Sequence, residues 1–350
     1  MSRYKHYLDI SVVEAARQRT AHIFDVFDSV AVMFSGGKDS LVCLELALAE
    51  ARRRGQLPLD VVFRDEELIP DSVIDFVDGY RRRPEVRMHW FAVPMLGSKK
   101  ILSEVTEIVF WQPGRKWVRE RPPWAITDAG PQVASQTNMD AMVCRTAGFK
   151  GRVGYITGVR ADESMWRYRS VVNKLNENYI CASSCPQVRL CKPIYDWSEN
   201  DIFKWLRQEN IPWCEFYEAR LMGGGAMRVS TPLHAESASQ LPQLKAIDPE
   251  FYDRLQAAYP EANLHARYCH ELAPQRDTFD GDMDDINSCF AFVAAMKDVA
   301  KKAQAEKVLA SYATLHENNP ESYPPRQLLR AFLNGVVHRL PLPNRKGASA

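Results

Sequence analysis

The sequence contains no run of about 18 apolar residues, which excludes a membrane-spanning helix. Met1-Ser2-Arg3-Tyr4-Lys5 leads into no signal-like apolar core, so a cytoplasmic protein is expected. Cysteine is scarce: eight in 350 residues are too few for a disulfide scaffold, and a reducing compartment keeps them as thiols or metal ligands. Net charge is nearly lacking too. A formal value of +1 makes no global case for nucleic acid, so any such contact must come from a local patch. No segment recurs at a fixed period, and solenoid architectures are set aside. The remaining composition, 46% hydrophobic and 25% charged, is that of a soluble globular protein with room for one large or two ordinary domains.

What is present is one stretch that organises the rest, Ser29 to Leu46, reading SVAVMFSGGKDSLVCLEL. An apolar, partly β-branched run from Val30 to Phe34 is followed by Ser35-Gly36-Gly37-Lys38-Asp39-Ser40 and then by helix-forming residues. The pattern is strand, glycine turn, helix. Adjacent glycines let the backbone turn with positive φ and approach a ligand without a Cβ between them. Amides at the start of the following helix point into the turn with the positive end of the helix dipole. Ser35 and Ser40 add hydroxyls and Lys38 a mobile positive charge. The spacing is not that of the nucleoside-triphosphatase loop.

Along the chain, residues 11–28 place Val12, Val13, Ala16, Ile23, Val26 and Phe27 near helical spacing behind Ser11, and predict an opening helix. Leu59 to Phe63 and Val86 to Val93 read as strands, the first two strands joined by a parallel crossover. Arg64-Asp65-Glu66-Glu67 follows the second strand, where ligands of open α/β sheets lie. Asp65 there either holds a magnesium ion or accepts from a nucleotide, or else belongs to a solvated acidic loop. Phe110 to Trp124 holds three tryptophans, three prolines and four basic residues against one acid. Its prolines deny regular structure, leaving a lid or nucleic-acid docking loop, or an insertion whose tryptophans pack inward.

Gly151 to Gly158 is a further strand delivering Arg160, Glu163 and Arg167, which share one face if a helix follows. Lys192-Pro193-Ile194-Tyr195-Asp196-Trp197 leads to Ser198, an N-cap with Asp201 in the capping-box position. Cys181, Cys185, Cys191 and Cys214 lie in this region, as zinc or iron–sulfur ligands, sulfur-carrying thiols, or ordinary reduced cysteines; their spacing matches no common metal motif. Gly223-Gly224-Gly225 is a hinge or linker, and the domain boundary is placed there, giving domains 1–225 and 226–350. Beyond it the chain reads helical. One helix starts at Pro249, an acidic turn at residues 277–285 caps a long helix from Ile286 to about His316, and Pro325 to Leu340 forms the last.

Three of these motifs carry a family resemblance. Ser35-Gly36-Gly37-Lys38-Asp39-Ser40 after a buried strand resembles the pyrophosphate loop (PP-loop) of the adenine nucleotide alpha hydrolase superfamily, which includes ATP pyrophosphatases, the ATP sulfurylase small subunit, thiolation enzymes and phosphoadenosine phosphosulfate (PAPS) reductases. Gly158-x-Arg160-x-x-Glu163-Ser164-x-x-Arg167, and Pro193-Ile194 through Trp197 to Asp201-Ile202, are similar to segments of PAPS reductases and the ATP sulfurylase small subunit. The resemblance covers about residues 25–220 and implies an α/β fold: a doubly wound, mainly parallel PP-loop/Rossmann-like sheet with flanking helices, followed here by a C-terminal mainly helical region.

It also implies an enzyme that binds ATP and cleaves it at the α-phosphate, adenylating an acceptor and releasing pyrophosphate, in sulfur transfer. On that pattern the amides of Gly36 and Gly37, with Ser35, Ser40 and Lys38, hold the β- and γ-phosphates. Asp39 orders the loop, Asp65 assists Mg2+, and Arg160 offsets charge developing on the α-phosphate, with Glu163 and Arg167 beside it. Some sulfur-inserting relatives carry clusters on cysteines. The acceptor is open: nucleic acid through Arg115 to Arg121 and Arg81 to Arg83, a sulfur-carrier protein, or a small metabolite. The C-terminal helices offer a surface for a homodimer or a partner protein. Two rivals stand. PAPS reduction lacks its Glu-Cys-Gly-x-His tail here, Cys269-His270 being the nearest approach, and a nucleotide-binding regulatory module without turnover is opposed by the intact loop.

Overall fold

The computed structural model describes residues 9–102, 104–130, 132–172, 177–218, 231–234, 237–238, 241–268, 281–333, 335–341 and 343. The chain divides into two compact units, Met1–Cys269 and His270–Ala350.

The first unit opens with α1 (Val12–Val26), capped by Ser11, whose hydroxyl accepts from the Glu14 amide at 3.1 Å. Then come β1 (Ser29–Met33), α2 (Lys38–Arg54), β2 (Leu59–Arg64), α3 (Asp71–Arg81), β3 (Val86–Phe91), β4 (Met95–Ile101), β5 (Glu104–Phe110), α4 (Met139–Thr146), β6 (Val153–Thr157), α5 (Met165–Val172), β7 (Ile180–Ala182), β8 (Val188–Cys191) and α6 (Glu199–Gln208). Six strands form one sheet in the order β3-β2-β1-β6-β8-β7, parallel except for the edge strand β7. β1 is central, with Val32 opposite Val61 on one side and Ile156 on the other. All three are fully buried, as expected of strands covered by helices on both faces. The mostly parallel α/β sheet is the expected fold class.

Three features differ from the sequence reading. β4 and β5 form a separate antiparallel hairpin, unforeseen because β5 is exposed over residues 104–107 and shows no clean alternation. The chain also does not divide at residue 225. Helices α7 (Leu241–Ile247), α8 (Pro249–Ala258) and α9 (Glu261–Tyr268) belong to the first unit, because Leu241, Leu244, Phe251, Tyr252, Leu255 and Ala262 are buried in the same cluster as the sheet. Finally, the long helix from Ile286 is two. In the second unit α10 (Ile286–Ala294) ends, and α11 (Val299–Asn318) restarts at Asp298, whose carboxylate accepts from the Lys301 amide at 3.0 Å. The break lets Cys289 and Val293 share a core with Leu309 and Tyr312 and with Leu328 and Phe332 of α12 (Pro325–Leu333), which one straight rod could not. That last helix ends at Leu333, seven residues before the expected Leu340. Gly223 to Gly225 and Cys269-His270 lie outside the described residues. Among the described residues no helix is long and apolar enough to cross a membrane.

Candidate active site at the carboxyl ends of β1, β2 and β6

The chain runs from β1 to β2 and β3 toward one edge, then returns to β6 on the other side of β1. Ligands of such sheets bind outside the carboxyl ends of the strands at this reversal. Ser35–Ser40 sits there. Gly36 adopts φ +75°, and a Cβ on it would lie 2.9 Å from Val73 Cγ1, so both backbone and space require glycine. The Ser40 hydroxyl donates to the Gly37 carbonyl at 2.9 Å and accepts from the Ser35 amide at 3.2 Å, closing the turn on itself. Gly37 is the N-cap of α2 and supplies no side chain to the helix's first amides. Tyr217 takes one of them, its hydroxyl accepting from the Lys38 amide at 2.8 Å. Gly158, just past β6, touches this turn so closely that a Cβ would lie 2.5 Å from the Ser40 nitrogen.

The charged residues expected on the phosphates are instead bound to one another. Lys38 is 2% exposed, and its Nζ lies 3.2 Å from both Asp39 and Glu199. Arg160 is 3% exposed. Its Nε donates to Asp39 at 2.5 Å, its Nη1 to Asp162 at 2.5 Å, and its Nη2 lies 3.7 Å from Glu163, which pairs in turn with Arg167. The structure does bring Lys38, Asp39, Arg160, Glu163 and Arg167 together, but as a network of ion pairs with Lys38 and Arg160 buried at its centre. The cause is adjacency: β6 lies beside β1, so Arg160, three residues past β6, meets Asp39 in the first turn of α2. Arg160 is therefore engaged by Asp39, Asp162 and Glu163 in this arrangement.

Asp65 is held likewise. It is fully buried, and both its oxygens are taken: Oδ1 accepts from the Glu67 amide at 3.0 Å and from Arg119, and Oδ2 from Trp90 Nε1 at 2.8 Å. Such a carboxylate does not fit a magnesium ion. Glu67, also fully buried, accepts from the amides of Trp111 at 2.6 Å and Val118 at 3.1 Å and from Arg115 at 2.5 Å. The Arg/Trp segment is thus fastened inward by two acids, and the guanidiniums of Arg119 and Arg121 stack on Trp111, which is fully buried. Arg81 and Arg82 pair with Asp78, and Arg83 with Glu45 and Glu85. Much of the patch proposed for nucleic acid is thus paired within the protein, while Lys116 and Arg121 have no ion pair among the described residues.

The chain after β2 alternates, so while Asp65 and Glu67 face inward, Arg64 and Glu66 line the crevice. Two cavities open there. One of about 220 Å³ is bounded by Ser35, Phe34, Val62, Arg64, Glu66 and Thr231. The other, about 590 Å³, lies against the β4–β5 hairpin and residues 135–139, and shares Arg64, Glu66 and Thr231. The Arg64 guanidinium makes no hydrogen bond, ion pair or ring contact with a described residue. Glu66 accepts from the Thr231 hydroxyl at 2.7 Å and has no ion pair among the described residues. Its remaining oxygen makes it the acid here that fits a divalent cation. Sequence reasoning passed over Arg64 and Thr231 and left Glu66 without a role, although the twofold alternation of an extended chain was the available signal.

The four candidate cysteines do not assemble. Among the described residues no group of three or more His, Cys, Asp or Glu could hold a metal ion. Cys191 is fully buried, and burial first, then the neighbouring Cys181, pushes its thiol up. Cys185 stands instead beside Cys144, raising that thiol behind the larger effect of burial. Cys214 lies apart against the Ser72 carbonyl, and burial lifts it to about 11. These sites do not fit the zinc or iron–sulfur cluster the resemblance allowed.

Residues 132–256 match the phosphoadenosine phosphosulfate reductase domain family. The chain is 29% identical over 269 residues to the uncharacterized protein YbdN of Escherichia coli (strain K12), an alignment covering 71% of this chain and 66% of that protein's length. Distant structural resemblances include FMN adenylyltransferase of Candida glabrata in complex with FMN and an ATP analogue (TM-score 0.39, 14% identity, 62% of this chain and 64% of that one). PAPS reductase of Candida auris, a phosphate complex, gives TM-score 0.35 at 12% identity over 65% of this chain and 100% of that one. The U34-tRNA thiolase NcsA of Methanococcus maripaludis, with its [4Fe-4S] cluster, gives 0.32 at 14% over 75% and 80%. Over residues 132–256, then, the chain is similar to the phosphoadenosine phosphosulfate reductase domain, and its sheet is mostly parallel.

Proposed function

We propose that the protein is a PP-loop enzyme that binds ATP, cleaves it at the α-phosphate and transfers the adenylyl group to an acceptor, in a sulfur-transfer reaction. The observation that carries this reading is the self-closed glycine turn at the strand-order reversal, opening beside a cavity at the ends of β1 and β2. The nucleoside lies in the smaller cavity. The β- and γ-phosphates lie on Ser35, Ser40 and the amides of Gly36 and Gly37, with the α2 dipole behind them. Glu66 would hold Mg2+, which when bound draws charge off the phosphates. Arg160 and Asp39 keep the turn in shape, an electrostatic preorganisation of the site before the nucleotide arrives.

PAPS reduction, which the family match favours, is the second reading. Its nucleophilic-cysteine tail is absent from the sequence, and Cys269 lies outside the described residues. Within the described part the buried cysteines Cys43, Cys191 and Cys214 all have thiols raised by burial, the opposite of an activated thiolate. On the first reading, by contrast, the incoming sulfur comes from a separate donor. The test is titration calorimetry with Mg2+ and the non-hydrolysable analogue AMPCPP. Gly37→Val, whose side chain would enter the cradle between Tyr217 and Ser35, is expected to weaken binding at least about tenfold. Unchanged affinity in a folded variant would sink the assignment of the loop. Pyrophosphate release from ATP then separates an enzyme from a binding module.

A further inference from the structure

Beside the smaller cavity lies the larger one, and its walls say what it takes. It has about 590 Å³, within the roughly 300–1,000 Å³ of small-molecule sites. It meets the nucleotide cavity along Arg64, Glu66 and Thr231, so a molecule in it ends where the α-phosphate is to be attacked. At that junction the Arg64 guanidinium is exposed and has no partner among the described residues. A planar guanidinium fork binds a planar carboxylate or a phosphate with two parallel bonds. The lining decides between them. Among the described lining residues Arg64 is the one lysine or arginine, against the two acids Glu66 and Glu107, so of the two a singly charged carboxylate is repelled less than a phosphate dianion. Ser98 and Gln136 offer hydrogen bonds to the rest of the ligand, and Phe110 an apolar wall.

We infer that this chamber is the acceptor site and that its ligand is a small carboxylic acid held at Arg64, a statement that rests on the ATP reading above. In the step, a carboxylate oxygen forms a bond to the α-phosphorus and the bond from that phosphorus to the α,β-bridging oxygen breaks. Its electron pair leaves with pyrophosphate, and the product is an acyl adenylate ready for a sulfur or nitrogen nucleophile. No proton moves and nothing is oxidised, because a carboxylate is already ionised at neutral pH. The chemistry agrees with the surroundings. Asp39, Asp65, Glu67 and Glu163 are held in ion pairs, whereas Glu66 and Glu107, which line the chamber, have none among the described residues, and a carboxylate acceptor needs no base from either.

The experiment is ATP–pyrophosphate exchange by the full-length protein with Mg2+, probed in turn with the twenty amino acids, a set of dicarboxylic and keto acids, AMP, and a short oligonucleotide, alongside calorimetry with AMPCPP. Exchange driven by a carboxylate is expected. Ser98→Trp, which fills the chamber, should lower it at least about tenfold while AMPCPP affinity stays within about twofold, and Arg64→Ala should raise the acceptor KM, with partial recovery in Arg64→Lys. Exchange driven only by AMP or the oligonucleotide, or by nothing while AMPCPP binds, overturns the carboxylate assignment alone. Loss of AMPCPP binding in Ser98→Trp with an unchanged melting temperature returns the chamber to the nucleotide. Failure of the unaltered protein to bind AMPCPP removes both this inference and the reading beneath it.

Discussion

Removing Arg160 separates two roles for the same side chain. A phosphate ligand, once deleted, weakens nucleotide binding and leaves the fold intact. A buried clamp, once deleted, leaves its carboxylates unpaired and loosens the fold. The guanidinium is 3% exposed and faces Asp39, whose side chain is 14% exposed, and Glu163, at 10%. Asp162 is 46% exposed, and its share is screened by water. Breaking a buried pair costs about 3–5 kcal/mol. Asp39 keeps Lys38 and Glu163 keeps Arg167, which places Arg160→Ala at the lower end, about 3 kcal/mol. At about 2–4 °C per kcal/mol for a domain of this order of size, melting should fall by roughly 6–12 °C. Tryptophan fluorescence is the assay, because all eight tryptophans precede residue 214 and report on the first unit alone. Arg160→Lys keeps the charge without the fork and should fall between. A melting point within about 1 °C of the unaltered protein, with AMPCPP affinity down tenfold or more, would restore Arg160 to the phosphates and refute the clamp.

Two further outcomes follow from the same burial. Glu67→Ala releases the Trp111 and Val118 amides and Arg115, so trypsin should cut at Arg115 to Arg121 much faster than in the unaltered protein; equal cleavage rates would mean the segment is not fastened by this acid. His265 is 3% exposed, its Nδ1 accepts from the Leu102 amide at 2.6 Å, and burial holds its pKa below the usual value. The unfolded chain therefore takes up this proton first, and stability should decline as pH falls below about 6.5 toward the folded value, with full stability above it. Urea midpoints from pH 5 to 8 should show this slope, and His265→Gln should flatten it; an unaltered slope would place the titration elsewhere.

The elements that were legible are those set by local chemistry. Ser35-Gly36-Gly37 announces its turn because φ +75° at Gly36 is a property of that residue and its neighbours. Ser198 and Asp201 announce their capping box, which the structure forms with both reciprocal bonds. The β4–β5 hairpin was hidden because its pairing partners supply no local pattern, and the helix break before Asp298 because the core that rewards it, with Tyr312 and Phe332, is built from later residues. The boundary at residue 225 failed for a related reason, since a glycine run marks flexibility of the chain and not where buried side chains stop sharing a core.

The sequence alone determined the strand, the glycine turn, the helix behind it and the class of parallel α/β sheet, because backbone freedom, capping and apolar periodicity act over a few residues. Only tertiary structure decided which charges pair with one another and which face the crevice. Arg160 reads as a phosphate ligand and Asp65 as a magnesium or nucleotide ligand; β6 sets the first against Asp39, 121 positions away in the chain, and Arg119 closes on the second across 54. Arg64 and Glu66 were left facing the crevice. A charge's role depends on which opposite charge the fold brings within a few ångströms, and that pairing is written between distant segments.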